Sequence, residues 1–200
     1  MVDNRALWVS VIGDMLQQYT RDVTPVEIVA QLCAHFAAAT PCDERERESI
    51  QQFLAIAPTL DAPFDEHAND THITGSAIVV GKRGVVLHLH KRLNIWLQPG
   101  GHIEQEETPA EGALREAREE TGLNVWHPES GPVLVHVDVH PGPRGHTHLD
   151  VRYIVMADDV EPAPGVDESQ EVAWFAWDDA IAMADTGLVG ALRVVRTYVR

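Results

Sequence analysis

Residues 100–123 read GGHIEQEETPAEGALREAREETGL, and the rest of the chain is best read outward from them. Thr108-Pro109-Ala110-Glu111 spells a helix start: threonine as cap, proline at the first helical position, and a glutamate that closes a capping box. Gly122 is a natural C-terminal stop. Between them Ala110, Ala113, Leu114 and Ala117 recur at helical spacing as a narrow apolar stripe. Glu116, Glu119 and Glu120 stand at i, i+3 and i+4, so their carboxylates share one flank. Gly112 lies on that flank too. A glycine inside a helix costs about 1 kcal/mol relative to alanine, so Gly112 is expected to serve close approach of backbone or ligand. Three carboxylates on one flank repel unless a cation sits between them, and hard oxygen donors select magnesium, manganese or calcium over zinc. A solvated acidic face, with Arg115 and Arg118 as intrahelical partners, is the competing reading.

The spacing of the whole stretch decides between the two. Gly101, Glu107, Arg115-Glu116, Ala117, Glu119-Glu120 and Gly122-Leu123 fill every fixed position of the Nudix box, a match far more specific than a lone glycine motif. The chain therefore resembles the Nudix hydrolases, which cleave a diphosphate linked to another group, usually with magnesium. The resemblance covers about residues 71–200 and implies an α/β fold, an α/β/α sandwich around a mixed sheet. It implies Mg2+ (or Mn2+) as cofactor, with Glu116 and Glu120 as ligands and Glu119 as a third ligand or as base for water. Arg115 and Glu107 would pair and orient the helix carboxylates, and the Gly100 carbonyl would add a ligand. Glu168, in the loop Gly165-Val166-Asp167-Glu168, resembles a distant glutamate that some members use as ligand or base; Glu171 stands close by.

The substrate implied is an anionic small molecule, a nucleoside diphosphate linked to another group. The subfamily stays unassigned. The tryptophan- and proline-rich stretch of NADH pyrophosphatases is absent, and Pro141 falls too far past the box for the proline of ADP-sugar pyrophosphatases. Two alternatives share the scaffold. Isopentenyl diphosphate isomerases carry a catalytic cysteine just before the box, where neither Cys33 nor Cys42 stands. Non-catalytic Nudix regulators often lose box glutamates, which are all present here.

Upstream, residues 1–58 read as a helical extension. Ala6, Leu7, Val9, Ile12, Met15 and Leu16 suggest one amphipathic helix. Thr24-Pro25-Val26-Glu27 repeats the capping-box signature, and Asp43 opens a third helix that Pro58 stops. Residues 59–70 read as a linker and 71–200 as the Nudix domain. The extension is open to a role in homodimer formation or as a lid. Strand signals begin at Thr71, with a hairpin expected at Gly81-Lys82-Arg83-Gly84. IWLQ, VLVHVDVH, HTHLDVRYIVMA and EVAWFAW are further strands, followed by helices near 177–185 and 189–199.

Titratable residues alternate along three of these strands: His88 and His90; His136, Asp138 and His140; His146, His148, Asp150 and Arg152. Residues two apart on a strand share a face. One reading makes this a solvent-facing surface; the other makes it a lining or support for the substrate cleft. His102, His90, Arg92, His140, His148 and Arg152 are the candidate substrate-binding residues, with Lys91 and Arg144 as further basic side chains near the site. A transition-metal site of histidines is a third reading, although nothing in the sequence closes a tetrahedral set.

The formal net charge is −16 at pH 7, which argues against a protein that tracks a nucleic-acid backbone. No apolar run is long enough to span a bilayer. The first residues are broken by polar side chains and lack a cleavage site, so no signal peptide is read there, and two cysteines give no disulfide framework. A cytoplasmic location is expected.

Overall fold

A computed structural model describes residues 23–199. The helix expected around residues 6–16 lies outside the described residues. Helix α1 (Pro25–Ala38) begins as its sequence spells: Thr24 Oγ1 accepts from the Glu27 N–H, and Glu27 accepts in return from the Thr24 N–H. Asp43 caps α2 (Glu44–Ile56), and a 3-10 turn follows over Ala57–Thr59. Both helices bury their apolar faces. Leu32, Phe36, Ile50 and Phe53 join the same core cluster as Ile73, Val137 and Leu149 of the sheet.

The sheet contains β1 (Thr71–Gly81), β2 (Gly84–Leu89), β3 (Trp96–Leu97), β4 (Gly100–His102), β5 (Val125–Trp126), β6 (Val133–Pro141), β7 (Thr147–Ala157) and β8 (Val172–Phe175). Its path is β3-β2-β1-β7-β5, with β4 paired to β1, β6 to β7 and β8 to β2. β1 and β7 run parallel from Thr71↔Thr147 to Val80↔Met156, and the other pairings are antiparallel. The expected hairpin closes at Gly81↔Gly84, where Gly84 adopts φ 122°. α3 (Pro109–Thr121) covers one face through Ala110, Ala113 and Ala117. α4 (Trp177–Met183) and α5 (Val189–Tyr198) cover the other, burying Ala180, Leu188 and Leu192 against Ile78, Val80 and Ile154. The result is the sandwich that the resemblance implies.

Three readings gain detail from the structure, and the first is corrected by it. Close approach does not occur at Gly112, where an added Cβ would meet its nearest neighbours at 3.4 Å or more, an ordinary contact. It occurs at Gly75 of β1, where a Cβ would drive into the Pro109 carbonyl oxygen, and at Gly101, where it would lie 2.5 Å from Glu116 Oε1. The segment read as a linker, residues 59–70, packs against the domain: Pro63 is buried, its carbonyl accepts from the Ile73 N–H at 2.7 Å, and Phe64 packs on the core. Of the two readings left open for the alternating polar face, a solvent surface is the one that its burial disfavours. His136, Asp138, Asp150 and Arg152 are each 3% exposed or less, because the start of α2 and the loop before α5 close over them. Arg45 reaches Asp138 at 2.6 Å, and Arg152 donates to the Gly187 carbonyl.

Candidate active site

The box loop enters as β4, paired to β1 through Gly100↔Ser76 and His102↔Thr74. It leaves through Glu104–Glu107 into α3, which is capped by Thr108 and ended by Gly122 at φ 65°. This loop-and-helix path folds the glutamates back onto Gly100 and Gly101. The Gly100 N–H donates to Glu120 Oε2 at 2.9 Å. The Glu116 carboxylate lies against the bare Cα of Gly101. A side chain at 101 would displace that carboxylate, which gives a steric reason for the glycine.

Arg115 ties the acidic groups together. It donates to Glu107 at 2.9 Å, Glu116 at 2.9 Å, Glu119 at 3.1 Å and the His102 carbonyl at 2.8 Å. Glu107 also accepts from the Glu104 N–H at 3.0 Å. Burial opposes the charge on Arg115, but the hydrogen bonds of Glu107 and Glu116 outweigh it and raise its pKa. Glu119 is the open member, with half its side chain in solvent.

Glu120 stands in the least hospitable place for an anion. Burial first, then the charges of Glu116, Glu168 and Glu119, push its pKa up to about 8, against the Gly100 hydrogen bond. Burial likewise raises Glu116, with Arg115 opposing and Glu119 and Glu168 adding to the rise. Glu168 is thus near enough for its charge to be felt at both box glutamates. Its loop is held on β2 by Ser169 Oγ, which donates to the Leu89 carbonyl at 2.8 Å, and by Lys91, which donates to the Asp167 carbonyl at 2.6 Å. Glu171 instead gives its backbone carbonyl to the Leu89 N–H. Burial and mutual repulsion raise both Glu116 and Glu120, as in a donor set short of a cation. These two carboxylates thus fit a hard divalent ion of the magnesium or manganese kind.

The remaining candidates divide. His88 Nδ1 lies 3.6 Å from Glu120 Oε1, and burial lowers its pKa to about 4. His90 stands one step further out, its Nδ1 accepting from the Arg92 and Leu93 N–H groups, and Arg92 is exposed. Arg152 does not reach the site: its guanidinium pairs with Asp150 at 2.8 Å and Asp138 at 3.4 Å inside the protein. Arg144 pairs with Glu66 at 2.6 Å. His102, His140 and His148 gather near the start of β1, where His72 pairs with His148, with ring centroids 5.3 Å apart for His102–His148 and 5.4 Å for His140–His148. An open cleft of about 1540 Å³ runs beside the box loop. One wall is 102–108 with Glu111, Arg115 and Glu116; the other is Val23, Pro25, Ile28 and 61–67. The N-terminal helices therefore contribute a wall to the site.

Sequence reasoning missed His72, Ser76 and Glu66. The signal for the first two was present, since His72, Thr74 and Ser76 alternate in THITGS as the later histidines do. Glu66 had none, because its place depends on how residues 59–70 fold.

Comparison with known proteins bears on the same region. The family model described as NUDIX domain matches residues 70–197. Phosphatase NudJ of Escherichia coli (strain K12) is 43% identical over 57 residues, 27% of this chain and 37% of that protein, so the chain spans well under half the length of these curated relatives. A hydrolase of the NUDIX family from Clostridium perfringens is 30% identical with a TM-score of 0.54, covering 64% of this chain and 97% of that one. The structure of a UDP-X diphosphatase is similar in fold, with a TM-score of 0.51 and 19% identity over 88% of this chain and 95% of that one.

Proposed function

From the premise that the chain belongs to the Nudix family, we propose that it hydrolyses the phosphoanhydride bond of a nucleoside diphosphate linked to another group. The observation that carries this reading is the convergence of Glu116 and Glu120 on Gly101 and Gly100, with the Glu120 pKa pushed up to about 8. Magnesium or manganese, held by Glu116 and Glu120 with the Gly100 carbonyl and Glu168 as further donors, would neutralise diphosphate charge and acidify the attacking water. Arg115 and Glu107 position the carboxylates through their shared hydrogen bonds. Glu119, on the open rim, suits the removal of a proton from the water. The substrate cleft is strongly acidic, so an anionic substrate fits it as its metal complex. Arg92 and His90, which follow β2, are further candidate contacts to the substrate. The isomerase alternative loses support from the position of the cysteines: Cys33 lies on α1, and Cys42 lies beside Gly190 and His136. A cytoplasmic setting, with neither Cys33 nor Cys42 in a disulfide, accords with this reading.

The test is a screen of nucleoside diphosphate derivatives with magnesium or manganese, reading released phosphate after a coupled phosphatase. Turnover of at least one such compound, dependent on the metal and lost in Glu120→Gln, is expected. Wild-type protein inert on the whole panel with either ion would overturn the proposal.

A further inference from the structure

Beside the box, at the start of β1, lies a second cluster with different chemistry. His72 of β1, His102 of β4 and His148 of β7 face one another with ring centroids 5.1, 5.1 and 5.3 Å apart, a nearly equilateral triangle. His72 is fully buried, and its Nδ1–H donates to the Asn69 carbonyl at 3.1 Å. That bond fixes the tautomer and leaves the Nε2 lone pair free. Nε2 is buried without a hydrogen-bond partner in all three rings. One donor atom from each lies within 4.8 Å of the other two.

The surroundings are those of ligating imidazoles. His102 turns Nδ1 to the Glu66 carboxylate at 3.5 Å, and His72 turns Nδ1 to a backbone carbonyl. Outward nitrogens held by a carboxylate and a carbonyl orient the inner nitrogens of metal-bound histidines. Burial first lowers the pKa of both His102 and His148, the latter to about 4, so both are neutral at pH 7 and able to ligate. Ordinary packing would leave the His72 Nε2, an acceptor by its tautomer, buried and unsatisfied, which native interiors avoid.

We propose that His72, His102 and His148 bind a transition-metal ion, zinc by the nature of its donors, separate from the divalent ion of the box. Zinc–imidazole bonds of about 2.0–2.1 Å place tetrahedral nitrogens about 3.3 Å apart, so small ring rotations close the set. The fourth position falls to His146, whose ring is 5.2 Å from His72 and whose Nδ1 is also unpartnered, or to solvent. The ion clamps β4 to β1 and β7, and through Glu66 it engages residues 59–70. It thereby anchors the strand on which Gly100 and Gly101 meet the box glutamates. The inference does not depend on which substrate is cleaved.

The experiment uses the full chain, stripped with a chelator and confirmed folded by circular dichroism. Zinc affinity is measured by competition with a chromophoric chelator, and cobalt(II) is added as a spectroscopic probe. Expected are stoichiometric zinc and the visible bands of four-coordinate cobalt without a thiolate charge-transfer band. His72→Gln and His148→Gln should each weaken zinc binding at least about a hundredfold, while the Glu116→Gln/Glu120→Gln double variant and Cys42→Ser keep it. If His72→Gln fails to fold, the more accessible His148→Gln and the wild-type cobalt spectrum decide. Three results would each overturn the proposal. They are zinc uptake by wild type no tighter than by the histidine variants, a thiolate band marking the Cys42, Glu46 and His136 cluster, and binding lost with the box glutamates.

Discussion

Glu120 is held where an anion is poorly tolerated, and this makes it the most informative residue to change. Glu116→Gln and Glu120→Gln preserve size and helix propensity while removing charge. Each is expected to lower turnover at least about a hundredfold with folding intact, since the lost carboxylates serve developing charge; rates and circular dichroism measured together check this. The same residue carries a pH signature. In the fold its pKa is about 8, against the usual 4.5. Between those values the folded state keeps a proton that the unfolded chain has released, so stability falls as pH rises through that window. Melting scans in chelator should show this decline, and Glu120→Gln or added magnesium should flatten it. An equal decline in all three samples would refute the assignment. The positions of the box residues were legible in the sequence because their spacing is local. The state of Arg152 was not. Alternation put it on the right face, but only the folded sheet brings Asp138 and Asp150 to its guanidinium.

Among the elements, α3 was readable from end to end, because its cap, proline and terminal glycine all act within a few residues. β4 and β5 were not, since strands of three and two residues are too short for alternation to register. Thr108→Ala removes the cap and should lower stability by about 1 kcal/mol, measurable by denaturant titration with an unchanged slope. α2 matters through its contacts across the sheet edge. Ser49 Oγ accepts from the Val139 N–H at 3.0 Å, and Arg45 donates to Asp138 at 2.6 and 3.1 Å. Burial opposes the charge on Asp138, yet His140, Arg45 and Arg152 hold its pKa well below the usual range. Arg45→Ala leaves that carboxylate to Arg152 and His140 and should cost about 1–3 kcal/mol. Deleting residues 1–58 strips the cover from the β6 edge and from the core cluster that Phe36 and Phe53 complete. The truncated protein should melt lower or aggregate. Unchanged melting, solubility and activity would make the segment a mere appendage.

For the molecule as a whole, four histidines set the acid limit. Burial lowers His35, His88 and His148 to about 4 and His136 to about 3. An unfolded chain takes up these protons from about pH 6.5 downward, while the fold refuses them until pH 3–4. The histidines' contribution to stability is therefore whole above about pH 6.5 and is lost as pH drops, by at most about 1.4 kcal/mol per pH unit for each histidine. His136→Phe should shallow that acid limb in chelator-treated protein, and an unchanged limb would remove His136 from the account. The burial of these side chains was beyond the sequence, because their covers come from segments far away in the chain. The contact at Gly75 has a consequence for how this architecture can drift. There α3 rests on β1 main chain to main chain, so the spacing between layers is not set by side-chain volume. Exchanges among the apolar residues around α3 would alter how firmly the layers hold without moving the glutamates. A single methyl group at position 75 would shift all of them together. A designer seeking new specificity thus has wide freedom in the core and none at that one strand position.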